Sequence, residues 1–211
     1  MIQDIVKRLE PMPPKSKFII FGGGYSGQRI ASVGKHLGAK VLCSRRKKDT
    51  KGADFVFNAD KEFSDEIFEG VTHVLSCIPP LSSGEDPVLS QLKSKLLNLK
   101  DLKWIGYLST TGVYGDAEGA WVDENTTPNP QQDRSIRRFS CEKEWLETNL
   151  PIQILRLPGI YGPGRSAFES LLKGTAKMID KPGQVFSRIH VDDIAGAVLF
   201  LINLYSQGNN P

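Results

Sequence analysis

Six residues, Gly22-Gly23-Gly24-Tyr25-Ser26-Gly27, follow a short apolar run, Phe18–Phe21, and open a stretch of helical periodicity. Gly22, Gly24 and Gly27 fit G-x-G-x-x-G, in which one glycine makes a tight turn, one lets backbone approach a pyrophosphate and one packs helix against strand. The chemistry implied is anion binding: the free N–H groups at the helix start, Tyr25, Ser26 and Gly27 among them, face the phosphates of a dinucleotide. A second cluster qualifies which dinucleotide. About twenty residues past the first glycine, an NAD site usually carries Asp or Glu to accept from the ribose 2′-OH. This chain has Cys43-Ser44-Arg45-Arg46 there. No carboxylate repels a 2′-phosphate, and Ser44, Arg45 and Arg46 offer donors to grip one. At about 1.5–3 kcal/mol per charge-assisted contact, the turn predicts a preference for NADP over NAD of roughly ten- to a thousandfold.

Other chemistry-bearing residues point to fewer functions. Three histidines and scattered acids show no metal-ligand spacing, so no metal site is expected. No Ser-His-Asp arrangement is legible. His190 and Asp192 have the types of a base and its orienting carboxylate, but the better reading is a helix start in which an Asp caps the first turn. Cys43, Cys77 and Cys141 are odd in number, without a C-x-x-C pair, and are expected to be reduced thiols in a cytoplasmic protein. With 27 basic and 24 acidic residues among 211, the formal charge of +3 is too balanced for a nucleic-acid coat. Nucleic-acid binding through Arg45–Lys48 therefore ranks well below a single anionic ligand. The longest apolar run, Ala197–Ile202, is far short of the ~18 residues of a membrane span. Acids at Asp4 and Glu10 and the lack of an apolar core in the first fifteen residues argue against a secretory signal.

The elements that must position these residues alternate in type. Strands are expected at Phe18–Phe21, Val41–Ser44, Asp54–Phe57, His73–Ile78, Trp104–Ser109 and Ile152–Leu157. Helices are expected over 26–37, around Phe63, Ile67 and Phe68, along Val88, Leu92, Leu96 and Leu99, along Ile136, Phe139 and Leu146, and along Ile194, Val198, Leu201 and Tyr205, the last capped by Asp192 or Asp193. The stretch Gly112–Pro130 reads as a long loop. Strands separated by helix-length segments imply right-handed crossovers and a parallel sheet covered on both faces. The fold class is α/β, doubly wound, of Rossmann type.

Three segments then carry a family resemblance. Ser109-Thr110-Thr111-Gly112-Val113-Tyr114-Gly115 resembles the S-[ST]-x-x-V-Y-G segment of the extended short-chain dehydrogenase/reductases, the NAD(P)-dependent sugar-nucleotide epimerases and dehydratases. Leu155–Gly164 resembles their R-x-x-x-x-Y-G-P-G turn, and His190–Ala195 their H-V-x-D-x-A helix start. The resemblance spans about Phe18 to Leu204. It implies a nicotinamide cofactor lying across the carboxyl ends of the strands, with Cys77, Ile78 and Pro79 beside its ribose and diphosphate, Asp60 near adenine, and Pro158 and Ile160 near the nicotinamide. Thr110 matches the family's catalytic hydroxyl. The family's Tyr-x-x-x-Lys pair is missing: counting back from Glu142 places Arg138 at the lysine position and Arg134 at the tyrosine position. Arg138 retains donors for ribose hydroxyls and is the second candidate catalytic residue, but an arginine cannot shuttle protons near pH 7. Tyr114 and Tyr161 could supply a phenol, though such tyrosines are mostly structural in the family.

The pattern resembles the atypical branch of the family, in which the cofactor loop stays while the catalytic tetrad erodes. It implies an NADP-dependent oxidoreductase or epimerase-like enzyme acting on a small molecule, nucleotide sugars included, or a sensor or scaffold that holds NADP without chemistry. A homodimer is compatible with the resemblance; nucleic-acid and membrane partners are not expected. Residues 1–211 read as one NAD(P)-binding domain, with about 158–185 as a reduced and incomplete substrate lobe. Against the family the chain looks short at its C-terminal end.

Overall fold

A computed structural model describes residues 2–47, 51–58, 64–178, 180, 183 and 185–208. Six strands form one parallel sheet: β1 (Lys17–Phe21), β2 (Lys40–Arg45), β3 (Phe55–Val56), β4 (His73–Ser76), β5 (Trp104–Thr110) and β6 (Ile152–Leu157). Their order is β3-β2-β1-β4-β5-β6. The chain thus winds outward from β1 in one direction, returns to β4 and winds outward in the other. The crevice beyond the carboxyl ends of β1 and β4 is the switch point at which such sheets bind ligands.

The two-residue period of the strands explains why both faces are covered. On β1, Phe18 and Ile20 point to one side and Ile19 and Phe21 to the other, and all four are fully buried. Phe18 and Ile20 join Leu75 and Trp104 against α2 (Tyr25–His36) and α6 (Val191–Ser206), through Ile30, Val33, Ile194 and Val198. Ile19 and Phe21 join Val74, Ile105 and Tyr107 against α3 (Pro87–Leu97) and α4 (Asp133–Leu146), through Leu92, Leu96, Cys141 and Trp145. A short α1 (Ile2–Val6), not legible in the sequence pattern, lays Ile2, Ile5 and Val6 on the first of these cores. After β6 come β7 (Gly159–Tyr161), α5 (Ala167–Leu172) and β8 (Arg188–His190), with β7 and β8 paired in a separate two-stranded sheet.

Three expectations are corrected. The buried face of α4 is Ser135, Cys141, Glu142 and Trp145, while Ile136 and Leu146 are exposed. Glu142 points inward because a buried network claims it: Ser109 Oγ donates to Glu142 Oε1, and Arg156 grips the same carboxylate from Nη2 at 2.8 Å and Nε at 3.2 and 3.3 Å. The N-cap of α6 is His190, whose Nδ1 accepts from the Asp192 N–H at 3.2 Å. Asp192 is instead ion-paired with Arg29 on α2. The expected short helix before β4 is a single 3₁₀ turn, Asp65–Phe68, and Phe63 lies outside the described residues.

Candidate functional site: an open glycine loop beside a basic cleft

The glycine loop sits at the switch point, and its glycines do different things. Gly22 has φ of +89°, and a Cβ there would press on Ile78 Cγ1 at 3.0 Å. Gly27 lets α2 close onto the loop, since its Cβ would stand 2.4 Å from the Gly22 carbonyl oxygen. At Gly24 the space is open, with nothing nearer to a Cβ than the Gly22 oxygen at 3.9 Å. That open side is the approach a diphosphate needs. Gly24 is also the N-cap of α2 and supplies no side-chain acceptor, and the first turn has no acidic residue. The positive end of a twelve-residue helix is therefore left for an anion.

The end of β2 braces this loop. Ser44 is buried; its Oγ accepts from the Gly22 N–H at 2.9 Å and its carbonyl from the Gly23 N–H at 2.8 Å. The Ser44 hydroxyl thus holds the loop in shape. Arg45 Nη2 donates to the Lys51 carbonyl at 3.4 Å, while its Nε is buried without a hydrogen-bond partner among the described residues. An unpaired buried guanidinium nitrogen is costly. Arg46 is exposed. Asp60, expected near adenine, lies outside the described residues.

Past the loop, the ends of β4, β5 and β6 enclose a cleft of about 1100 Å³. Thr110, Arg138, Pro79, Pro158 and Ile160 all line it, with Arg134, Arg137 and Arg165. Cys77 and Ile78 stand between loop and cleft: the Cys77 N–H donates to Phe21 O at 2.8 Å, and Ile78 O accepts from Arg138 Nη1 at 3.3 Å. The same Nη1 donates to Tyr107 Oη at 3.1 Å and Leu108 O at 3.0 Å, and the guanidinium lies over the Tyr107 ring. Arg138 is thereby locked across the ends of β4 and β5. Its charge does not ionise Tyr107: burial outweighs it and pushes the phenol above its ordinary range. Thr110 Oγ1 accepts from the Gly112 N–H at 3.1 Å, which leaves its own hydrogen available to a substrate oxygen. The long loop after Tyr114 closes one side of the cleft through Gly115, Asp116, Glu118 and Gly119.

The alternative groups lie elsewhere. Tyr114 Oη accepts from Arg156 Nη1 at 3.0 Å, part of the buried Glu142 network. Tyr161 packs edge-on against His190, and His190, Asp192 and Asp193 open on a separate cavity of about 500 Å³ beside α1. Burial raises the Cys43 thiol to about 11 and the Cys141 thiol to about 12, so neither is a thiolate near neutral pH. Among the described residues no group of three or more His, Cys, Asp or Glu could hold a metal ion, and no helix is long and apolar enough to cross a membrane.

A glycine loop at the switch point of a six-stranded parallel sheet defines a Rossmann-type α/β fold, the fold also of solved NAD-dependent epimerase/dehydratase and nucleoside-diphosphate sugar epimerase structures. The solved structure of a functionally unknown conserved protein from Silicibacter pomeroyi DSS matches with a TM-score of 0.81 and 39% identity, covering 90% of this chain and 68% of that one. The chain belongs to one family with that protein, and the fold they share is that of solved NAD-dependent epimerase/dehydratase structures. Protein YeeZ of Escherichia coli K12 is 37% identical over 106 residues, 49% of this chain, and the match spans 36% of YeeZ. At 17% identity, the fold is also that of MoeE5, solved in complex with UDP-glucose and NAD, with a TM-score of 0.70 over 89% of this chain and 71% of that one. No protein-family model matches the chain.

The sequence missed Arg137 and Arg165 as cleft residues and the buried network behind them. Arg165 follows the Gly-Pro-Gly of the resemblance directly, which was the available signal.

Proposed function

We propose that this protein binds NADP with its diphosphate on the glycine loop and its nicotinamide in the cleft, and acts there as an oxidoreductase or epimerase-like enzyme on a small polar substrate. The observation that carries the reading is the open, uncapped and acid-free start of α2 beside the cleft that holds Thr110 and Arg138. Residues present fit the cofactor: Gly24 leaves room for it, the α2 N–H groups meet the diphosphate, and the exposed Arg46 with the partly exposed Arg45 offers donors to a 2′-phosphate. The bound nicotinamide supplies hydride exchange. In this role Thr110 donates a hydrogen bond to the substrate oxygen, and Arg138, held by Ile78, Tyr107 and Leu108, meets ribose hydroxyls with its remaining N–H groups. Arg134 and Arg137 give the cleft a positive wall that suits an anionic substrate such as a nucleotide sugar. Residues 158–185 act as the substrate lobe, in a protein of the cytoplasm.

A second reading, an NADP-holding sensor without chemistry, is favoured by one observation. Arg134, at the position of the family's tyrosine, is exposed and donates to Gln132 Oε1 at 3.0 Å, and no phenol replaces it among the residues lining the cleft. NADPH oxidation in a screen of carbonyl compounds and nucleotide sugars separates the two. The enzyme reading expects turnover that falls at least about tenfold in Thr110→Val, the loss of one charge-developing contact. Tight NADPH binding with no turnover on any compound overturns it in favour of the sensor.

A further inference from the structure

One residue joins the two halves of the site. Arg165 lines the cleft, yet its guanidinium also lies over the ring of Tyr25 at 5.6 Å, and Tyr25 is the first residue of α2 after the glycine loop. The contact is built rather than incidental. Gly162 and Arg165 exchange two backbone hydrogen bonds, at 3.1 and 2.9 Å, closing a tight turn. Tyr25 Oη donates to the Pro163 carbonyl inside that turn at 3.1 Å. Gly162 is needed for the approach, because a Cβ there would stand 2.6 Å from Tyr25 Oη and 2.8 Å from Val191 Cγ1. A turn of the C-terminal lobe is thus pinned to the helix start that faces the anion. Arg165 stands at the border between the glycine loop and the cleft.

Resting on the cofactor reading above, we propose that Arg165 and Tyr25 form a clasp: Arg165 reaches from the C-terminal lobe to the diphosphate of the bound dinucleotide, with the Tyr25 ring and hydroxyl setting its position. The chemistry follows from where the diphosphate must lie. In a dinucleotide it separates the adenosine half, which the basic turn at Arg45 and Arg46 addresses, from the nicotinamide half in the cleft. Arg165 stands at that division, and its fork of donors matches phosphate oxygens. The C-terminal lobe therefore retains cofactor as well as shaping the substrate side.

The test is a set of direct titrations of wild type, Arg165→Ala and Arg165→Lys with NADPH, NADH and adenosine 2′-monophosphate, the last having no diphosphate. Arg165→Ala is expected to weaken NADPH and NADH alike by about tenfold, the low end for a charge-assisted contact at an exposed side chain. It should leave adenosine 2′-monophosphate unchanged, and Arg165→Lys should recover part of the loss. Unchanged dinucleotide affinity in Arg165→Ala overturns the clasp alone and leaves the cofactor reading standing. An equal loss for all three ligands overturns it as well, since damage to the loop and not a diphosphate contact would be responsible. Failure of wild type to bind either dinucleotide overturns the clasp together with the cofactor reading.

Discussion

The sheet with its glycine loop and the lobe after β6 differ in how they are held. In the sheet and the helices packed on it, Trp104, Tyr107 and Trp145 are fully buried, and the polar groups among them are mostly partnered. Asp86 caps α3 by accepting from Val88 N–H at 2.9 Å and Leu89 N–H at 3.0 Å, and takes the Trp145 indole N–H at 3.2 Å. In the lobe, α5 buries nothing; Phe168 is 77% exposed and Leu172 86%. Yet Pro158, Ile160 and Arg165 from this lobe line the cleft as fully as residues of the sheet do. Stability is concentrated in one region while both contribute to the site. Substitutions in the sheet should therefore be felt in folding, and those in the lobe in binding.

The largest expected effect is at the buried network behind the cleft. Glu142→Ala removes the partner of Arg156 and of Ser109 together, and should cost about 3–5 kcal/mol in denaturant unfolding, the range for breaking a buried ion pair. A loss below about 1 kcal/mol would mean that the sheet region is not the stable one.

Next in size is a pH effect from the same region. His73 is fully buried on β4; the Thr72 hydroxyl donates to Lys17 O, so Thr72 accepts from His73 Nδ1, and Nε2 has no partner among the described residues. Burial lowers its pKa from 6.5 to about 4. Between those values the unfolded chain binds a proton that the folded protein refuses, so stability falls as pH drops through that interval. The effect is up to about 3 kcal/mol from this residue. His73→Leu should flatten the slope, as read by unfolding curves at pH 7, 5.5 and 4; an unchanged slope would assign the effect elsewhere.

Third comes the basic turn. Arg45→Ala with Arg46→Ala should lower the ratio of NADP to NAD affinity by about tenfold or more with little change in melting temperature. An unchanged ratio removes the NADP preference. The smallest effect belongs to the lobe: Leu172→Ser should shift unfolding stability by less than about 0.5 kcal/mol, as for an exposed position. A larger loss in solution would show that this face is covered.

What was legible in the sequence follows the same division. The six strands and the glycine loop could be read because their signals are local: period-two burial on β1, and glycines that a turn and a close helix approach demand. The ends shifted by a residue or a few, as at β3, which is only Phe55–Val56. The face of α4 was not legible, because what draws Glu142 inward is Ser109 and Arg156, 33 and 14 residues away. The role of Asp192 is hidden from the sequence for the same reason: its partner Arg29 is 163 residues distant, and His190 takes the capping role. The Asp86-Pro87 cap of α3 is a local signal, an Asp before a helix-starting proline. In the site, Thr110, Arg138, Pro79, Pro158 and Ile160 were picked out by motif and the fold brings them to one cleft. Arg165 is marked in the sequence only by following the Gly-Pro-Gly, and its place against Tyr25 shows only in the folded turn.

The central claim is that the glycine loop and cleft together hold a nicotinamide dinucleotide. Fluorescence titration of the wild-type protein with NADPH and, separately, NADH tests it most directly. Saturable one-to-one binding is predicted for both, tighter for NADPH by at least about tenfold. Absence of saturable binding by either dinucleotide would contradict it.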